Sequence, residues 1–182
     1  MTAAEMARVE QWAELVKRAY QLNRFFNAEI EVVIQPVVHN GNVHGYHVET
    51  KDCEKHRTCG VKVYIVPERM SFDWSLSWGG YDSFHECENT QKYFDMMHAL
   101  ANKHNSDENW RVFGHFRFDA MRNAVEFRYS IPLDKVYLDI QELSKLLGVI
   151  LYKTSCFSKE ASKLEGDYLY EHLKNQVGAK NS

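Results

Sequence analysis

The sequence predicts an α+β fold, a single domain in which an antiparallel sheet of five to six strands carries helices packed on one face. Segments with apolar residues at three- and four-residue steps open and close the chain, and segments of alternating polarity lie between them. Two of the strand pairs are joined by tight turns. The predicted order is helix, three or four strands, helix, two strands and helix. The domain is expected to cover residues 1–178, with a frayed tail at 179–182.

The first helix is predicted over residues 3–26, where apolar side chains recur on one face. The residues of this face are Val9, Trp12, Ala13, Val16, Ala19, Tyr20 and Phe26. Because the face is broad and aromatic, we expect it to pack against the sheet.

The first strands follow this helix, where the polarity period changes to two. The Asn40-Gly41 step predicts a hairpin turn between the first two strands. Pro36 removes a donor from the strand ladder and indicates an edge position or a nearby bulge. Two further half-buried strands are predicted at 61–66 and 72–78.

The second helix is predicted to end near residue 104 or 105. Its start is either the capping box formed by Ser83 and Glu86 or the later Asn89-Thr90 step. In the hairpin that follows, four residues are predicted to face the core, namely Val125, Phe127, Tyr129 and Ile131.

The third helix is predicted to start near Asp139, to bend near Gly148 or Thr154, and to stop at Gly166. A separate short helix is expected at 168–177. Four side chains of the last hairpin and this helix are expected to be nearly fully buried, and these are Phe127, Tyr129, Leu143 and Leu147.

Composition restricts the class of protein. The chain has 182 residues, of which 45% are hydrophobic and 26% charged, as in ordinary globular proteins. The formal net charge is -3, slightly negative, and so does not indicate the concentrated basic surface that non-specific nucleic-acid binding requires. Acidic residues interrupt the apolar N-terminus, and no window approaches about 18 consecutive apolar residues. We therefore expect a cytoplasmic protein without membrane association, with reduced cysteines.

Between residues 93 and 164 the chain contains the segments HALANKHN, FGHFRFD and AVEFRYSIPLD, with an amphipathic helix after them. In these segments the stretch resembles the YbjN-like and type III secretion chaperone-like proteins. The matching positions are Asn102, Asn105, Gly114, Phe116, Asp119, Val125, Tyr129, Pro132 and Leu133. The resemblance implies an antiparallel sheet with helices on one face, frequent dimerisation, binding to another protein, and a bacterial or phage origin.

No segment forms a strong catalytic motif, so we expect a non-catalytic protein-binding module, chaperone-like or adaptor-like. It is expected to form a homodimer and to hold no cofactor. Trp74, Trp78 and Tyr81 cluster at the end of one strand, and aromatic residues dominate binding hot spots. We take these three rings as the candidate partner contacts. The alternative, strongest for Trp74, is that they fill the core.

One alternative function is zinc binding. Cys53, His56 and Cys59 share one short loop, and His47 lies nearby in sequence. Thiolate and imidazole are ligands that zinc prefers, although the usual paired spacing is missing. The same residues also fit a polar loop without metal, or a Cys53–Cys59 disulfide under oxidation.

The other alternative is a nucleic-acid-binding regulator. Arg111, Arg117 and Arg128 lie on the polar side of the last hairpin, interleaved with aromatic residues, as in single-strand binding surfaces. A solvated sheet face has the same pattern, and Glu126 offers a cross-strand partner.

Overall fold

The computed structural model describes residues 1–23, 31–50, 61–77, 90–107, 114–122, 124–133 and 138–180. Its elements are α1 (Ala3–Leu22), β1 (Val32–His39), β2 (Asn42–Thr50), β3 (Lys62–Val66), β4 (Arg69–Ser77), α2 (Thr90–Ser106), β5 (His115–Asp119), β6 (Ala124–Pro132) and α3 (Ile140–Lys180). The strands form a six-stranded antiparallel sheet in the order β1-β2-β3-β4-β6-β5. The predicted α+β class and the order of its elements are confirmed.

The chain divides into two compact units. Unit 1 comprises Met1–Ser75 and Phe127–Thr154, and unit 2 comprises Leu76–Glu126 and Ser155–Ser182. The boundaries expected for one domain, 1–178 with a tail at 179–182, stay a prediction.

Helix α1 begins with a capping box. The Thr2 N–H donates to Glu5 Oε2 at 2.7 Å, and the Glu5 N–H donates to Thr2 Oγ1 at 3.2 Å. Its buried face consists of Val9, Ala13, Val16, Ala19 and Tyr20, as the periodicity predicts. The helix ends at Leu22, before the predicted residue 26, and Phe26 lies outside the described residues. The Tyr20 hydroxyl donates to Val61 O at 2.6 Å and so ties α1 to the start of β3.

The β1-β2 hairpin has the predicted turn. Asn40 and Gly41 both have positive φ, 50° and 77°, as a two-residue turn of the primed type requires. Strand β1 lies at the edge of the sheet, and its register shifts between Val37 and Val38. Both features that Pro36 indicates, an edge position and a nearby bulge, are therefore present.

The core of unit 1 lies between the sheet and the helices. Phe127, Leu143 and Leu147 are almost completely buried, as predicted. The prediction for Tyr129 is wrong, because its side chain is half-buried, with its ring 6.0 Å from that of Phe72. A tyrosine ring has a polar end, which tolerates partial exposure where a phenylalanine ring does not.

The core of unit 2 is aromatic. The rings of Phe116 and Phe157 stack at 4.2 Å, and the His104 ring meets both edge-on, at 5.7 and 5.2 Å. His104 Nε2 lies 3.4 Å from Glu160 Oε1, and Lys103 Nζ lies 2.7 Å from Glu160 Oε2. These contacts join α2 and β5 to the second half of α3.

Helix α3 is longer than predicted. It runs unbroken over Ile140–Lys180, so the predicted stop at Gly166 and the separate helix at 168–177 are wrong. A glycine inside a helix costs only about 1 kcal/mol. Packing beyond Gly166 offsets this cost, because the buried Tyr168 ring lies 5.3 Å from that of Tyr93 in α2. None of the described helices combines the length and apolar composition needed to cross a membrane.

Candidate functional site

The sheet of unit 1 has two faces with different roles. The Tyr46 hydroxyl donates to Glu10 Oε1 of α1 at 2.6 Å, and Lys153 of α3 lies over the Phe127 ring. Tyr46 and Phe127 therefore mark the inner face, which carries the helices. Because neighbouring residues of a strand point to opposite faces, His47 and Arg128 mark the other face, named here the outer face.

A row of charges of alternating sign crosses the outer face. Lys62 is the register partner of Asp73, and the register of β2 against β3 places Glu49 opposite Lys62. Lys62 Nζ lies 2.7 Å from Glu49 Oε2, and Arg128 forms an ion pair with Asp73. Opposite charges in direct cross-strand positions stabilise a sheet by roughly 0.2–1 kcal/mol per pair. The four residues thus form a charge row that spans β2, β3, β4 and β6.

The charges of this row act on each other. Burial alone would raise the pKa of the Glu49 carboxyl. The hydrogen bond and charge of Lys62, together with His47, outweigh that effect, so the pKa of Glu49 lies below its ordinary value. Glu49 is therefore ionised at neutral pH, and its pairing stabilises the sheet until the pH falls into the range where carboxylates are protonated.

A second row runs beside the charge row. His47 and Tyr64 are register partners with ring centroids 5.6 Å apart, and the Ser71 and Ser130 hydroxyls lie 2.8 Å from each other. His47 Nε2 lies 3.4 Å from Glu49 Oε1, which is longer than a good hydrogen bond. Tyr64 is 37% exposed, so an aromatic ring stands at the surface between polar neighbours.

Of the three predicted partner contacts, only Trp74 lies within the described residues. Trp74 is 3% exposed and belongs to the core of unit 1, which fits the alternative that its ring fills the core. Trp78 and Tyr81 lie outside the described residues, so their role stays a prediction.

The arginines proposed for nucleic-acid binding differ in their surroundings. Arg128 pairs with Asp73, and Arg117 is exposed on β5, whereas Arg111 lies outside the described residues. Glu126, expected as a cross-strand partner, pairs with Arg122 of the turn before it. Since Arg128 is neutralised within the sheet, a phosphate would have to compete with Asp73 for it.

Of the four proposed zinc ligands, His47 alone lies within the described residues. His47 lies beside Glu49 and Tyr64 on the outer face, and Cys53, His56 and Cys59 fall outside the described residues. Within the described ranges, no group of three or more histidine, cysteine or acidic side chains has a geometry that could hold a metal ion.

A surface pocket of about 440 Å³ lies along the solvent side of α1. Its described lining residues are Ala7, Glu10, Gln11, Glu14, Leu15 and Arg18. They supply two carboxylates and one guanidinium, and no cysteine, serine or histidine that could act as a nucleophile or base.

The outer edge of β5 is occupied by a side chain of α2. The Phe116 N–H donates to Asn105 Oδ1 at 2.7 Å, and Asn105 Nδ2 donates to Phe116 O at 2.9 Å. A residue in an antiparallel strand directs its N–H and C=O to the same side, so this carboxamide takes the place that an added strand would need. The Asn105 position noted in the sequence resemblance thus has a structural role.

Replacing Asn105 by alanine is expected to cost about 1–3 kcal/mol of folding stability, because the part-buried Phe116 N–H and C=O would both lose their hydrogen bonds to the Asn105 side chain. Amide hydrogen exchange at Phe116 should accelerate as well. Asn105→Asp retains the acceptor for the Phe116 N–H but not the donor to Phe116 O, so exchange at the Phe116 amide should accelerate less than in the alanine variant. Unchanged exchange at Phe116 in the alanine variant would contradict the assignment.

Comparison with known proteins adds no relative: no protein-family model, curated protein or solved structure matches the chain.

Proposed function

We propose that this protein is a non-catalytic protein-binding module, chaperone-like or adaptor-like, which binds its partner through the outer face around Tyr64. The observation that carries the proposal is that two exposed residues, Tyr64 and Arg128, lie on the same polar face of the sheet. Tyrosine and arginine are enriched among residues that dominate protein-protein binding energy.

The charge row supports binding to a protein. Glu49, Lys62, Asp73 and Arg128 are already paired, so a partner orders few additional side chains when it binds. Because the sign of the charge alternates along the row, the complementary surface is one of mixed charge. A protein surface supplies such a pattern, whereas a nucleic-acid backbone is uniformly negative.

The two edges of the sheet favour a partner that docks on the face. Pro36 removes a backbone donor from β1, and the nearby register shift interrupts its regular pairing. Asn105 occupies the β5 edge at Phe116. Addition of an extended segment to either edge is therefore disfavoured.

The sequence resemblance supports the finer parts of the proposal. It implies a chaperone-like role, a homodimer and a bacterial or phage origin, and the composition argument adds a cytoplasmic location. The size of the purified protein in solution tests the homodimer directly.

The test begins with a photo-crosslinking amino acid placed at position 64, and in a second preparation at position 170. Tyr170 is a matched control because it is a tyrosine with 70% exposure on α3. Mass spectrometry of cross-linked extract from the native host identifies the partner. Tyr64→Ala should then weaken binding to that purified partner by about 2 kcal/mol or more, roughly 30-fold, with no effect of Tyr170→Ala.

Two outcomes would refute the proposal. One is a protein partner whose affinity is unchanged by Tyr64→Ala, provided that the variant remains folded. The other is cross-linking at position 64 to nucleic acid alone, which would favour the alternative of a nucleic-acid-binding regulator that uses Arg111, Arg117 and Arg128.

A further inference from the structure

Two histidines meet at the turn end of the β1-β2 hairpin. The His39 and His44 rings have centroids 5.8 Å apart at an interplanar angle of 65°. Both residues are exposed, so an ion in solution has access to their imidazoles. Neither histidine belongs to the outer-face set around Tyr64, so a role for this pair does not rest on the proposed function.

The backbone brings the two rings together. His39 ends β1 immediately before the Asn40-Gly41 turn, and its register partner is Asn42. Val38 pairs with Val43 and Val37 pairs with Gly45, so His44 is the extra residue of a β-bulge. Bulges change the direction of a side chain, and this one places the His44 ring beside that of His39.

The spacing suits metal chelation. With metal-nitrogen distances of about 2.1 Å, two coordinating imidazoles have ring centroids about 5 Å apart at the tetrahedral angle of zinc, and about 4.5 Å apart at the roughly 90° angle of nickel or copper. The observed 5.8 Å is longer than either distance, and rotation of the two exposed side chains would bring the rings to the required separation. Because a tight turn and a paired hairpin hold both residues, a metal ion would lose little affinity to ordering of the chain.

We infer that His39 and His44 form a dissociable binding site for a divalent transition-metal ion. Imidazole nitrogen suits nickel, copper and zinc, whereas calcium and magnesium prefer oxygen ligands. Two imidazoles supply two ligands, and water molecules complete the coordination. The site differs from the zinc site considered for Cys53, His56 and Cys59, since it uses neither those residues nor His47.

The test is a calorimetric titration of the full chain, without an affinity tag, with Ni²⁺ alone. His39→Ala and His44→Ala should each weaken the tightest binding at least tenfold. The double variant should lose little more, because removing either ring ends the chelation. His115→Ala is the matched control, since His115 is also an exposed strand histidine, and it should bind as the wild type does.

A chain with Cys53→Ser and Cys59→Ser separates the two metal sites. Unchanged Ni²⁺ affinity in this variant supports the histidine pair, and loss of binding overturns it. Equal weakening by His115→Ala, or less than about a twofold effect of both single variants, would also overturn the proposal. Circular dichroism of each variant shows whether the fold is retained.

Discussion

Replacing Phe127 by alanine is expected to lower the free energy of unfolding by about 3–5 kcal/mol. Phe127 is 1% exposed on the inner face of β6, and its loss would leave a cavity that surrounding side chains fill only in part. The ring also faces the Lys153 side chain, with Nζ 5.5 Å from its centroid. Lys153 itself is buried, so removing the ring also takes a packing contact from a polar group inside the core.

Urea denaturation monitored by circular dichroism measures this effect as a shift in midpoint at constant m-value. Tyr129→Ala is the matched control, because Tyr129 lies two residues further along β6 on the same face and is half-buried. It should lose clearly less stability than Phe127→Ala. A loss below about 1 kcal/mol for Phe127→Ala would show that this side chain does not fill the core.

The difference between these two residues illustrates what alternation predicts. Period-two polarity assigns Phe127 and Tyr129 to one face of β6, and both do lie on the inner face. The pattern does not specify how far each position lies from the centre of the core. That depth depends on which helix lies above it, which is a matter of tertiary packing.

The charge row could not be predicted in the same way. Glu49, Lys62, Asp73 and Arg128 are separated along the chain and meet only because three strand registers align them. A slip of one residue in any strand would turn its charge to the inner face. A single charged residue in a strand of alternating polarity gives no sequence signal of its partner in another strand. For this reason Glu49 and Lys62 were not predicted as site residues.

Tyr64 was missed for a related reason. Trp74 was predicted as a partner contact because it clusters with Trp78 and Tyr81 along the chain, and clustering gives no information about exposure. Trp74 alternates onto the buried side of β4, whereas Tyr64 lies on the outer face of β3 beside His47. Local turn chemistry was more informative, because the conformation of a turn depends on few neighbouring residues. The hairpin turn at Asn40-Gly41 and the register shift near Pro36 were both predicted correctly.

The helix end predicted at Gly166 shows the limit of such local signals. Glycine favours a helix stop only by a small margin, and contacts made further along the helix decide the outcome. Tyr168 packs against Tyr93, and Glu171 lies 3.4 Å from Lys92 of α2. Neither contact can be inferred from the residues that surround Gly166 in sequence.

The same substitution at two glycines should have opposite effects on stability. At Gly45, an added Cβ would lie 2.3 Å from Ile65 O and 3.0 Å from Val66 Cγ1. Since the nearer atom belongs to the backbone of β3, relief of the clash requires β2 to move away from its neighbour. We expect Gly45→Ala to cost about 3 kcal/mol, at the upper end of the usual range for overpacking.

At Gly166, which lies inside α3, an added Cβ would meet no described atom within 4 Å outside the neighbouring backbone of its own helix. Gly166→Ala should therefore stabilise the protein by about 1 kcal/mol through helix propensity. Thermal and urea denaturation of the two variants, measured side by side, give both signs in one experiment. A neutral Gly45→Ala would mean that β2 does not approach β3 as closely as described, and a destabilising Gly166→Ala would mean that α3 breaks at the glycine after all.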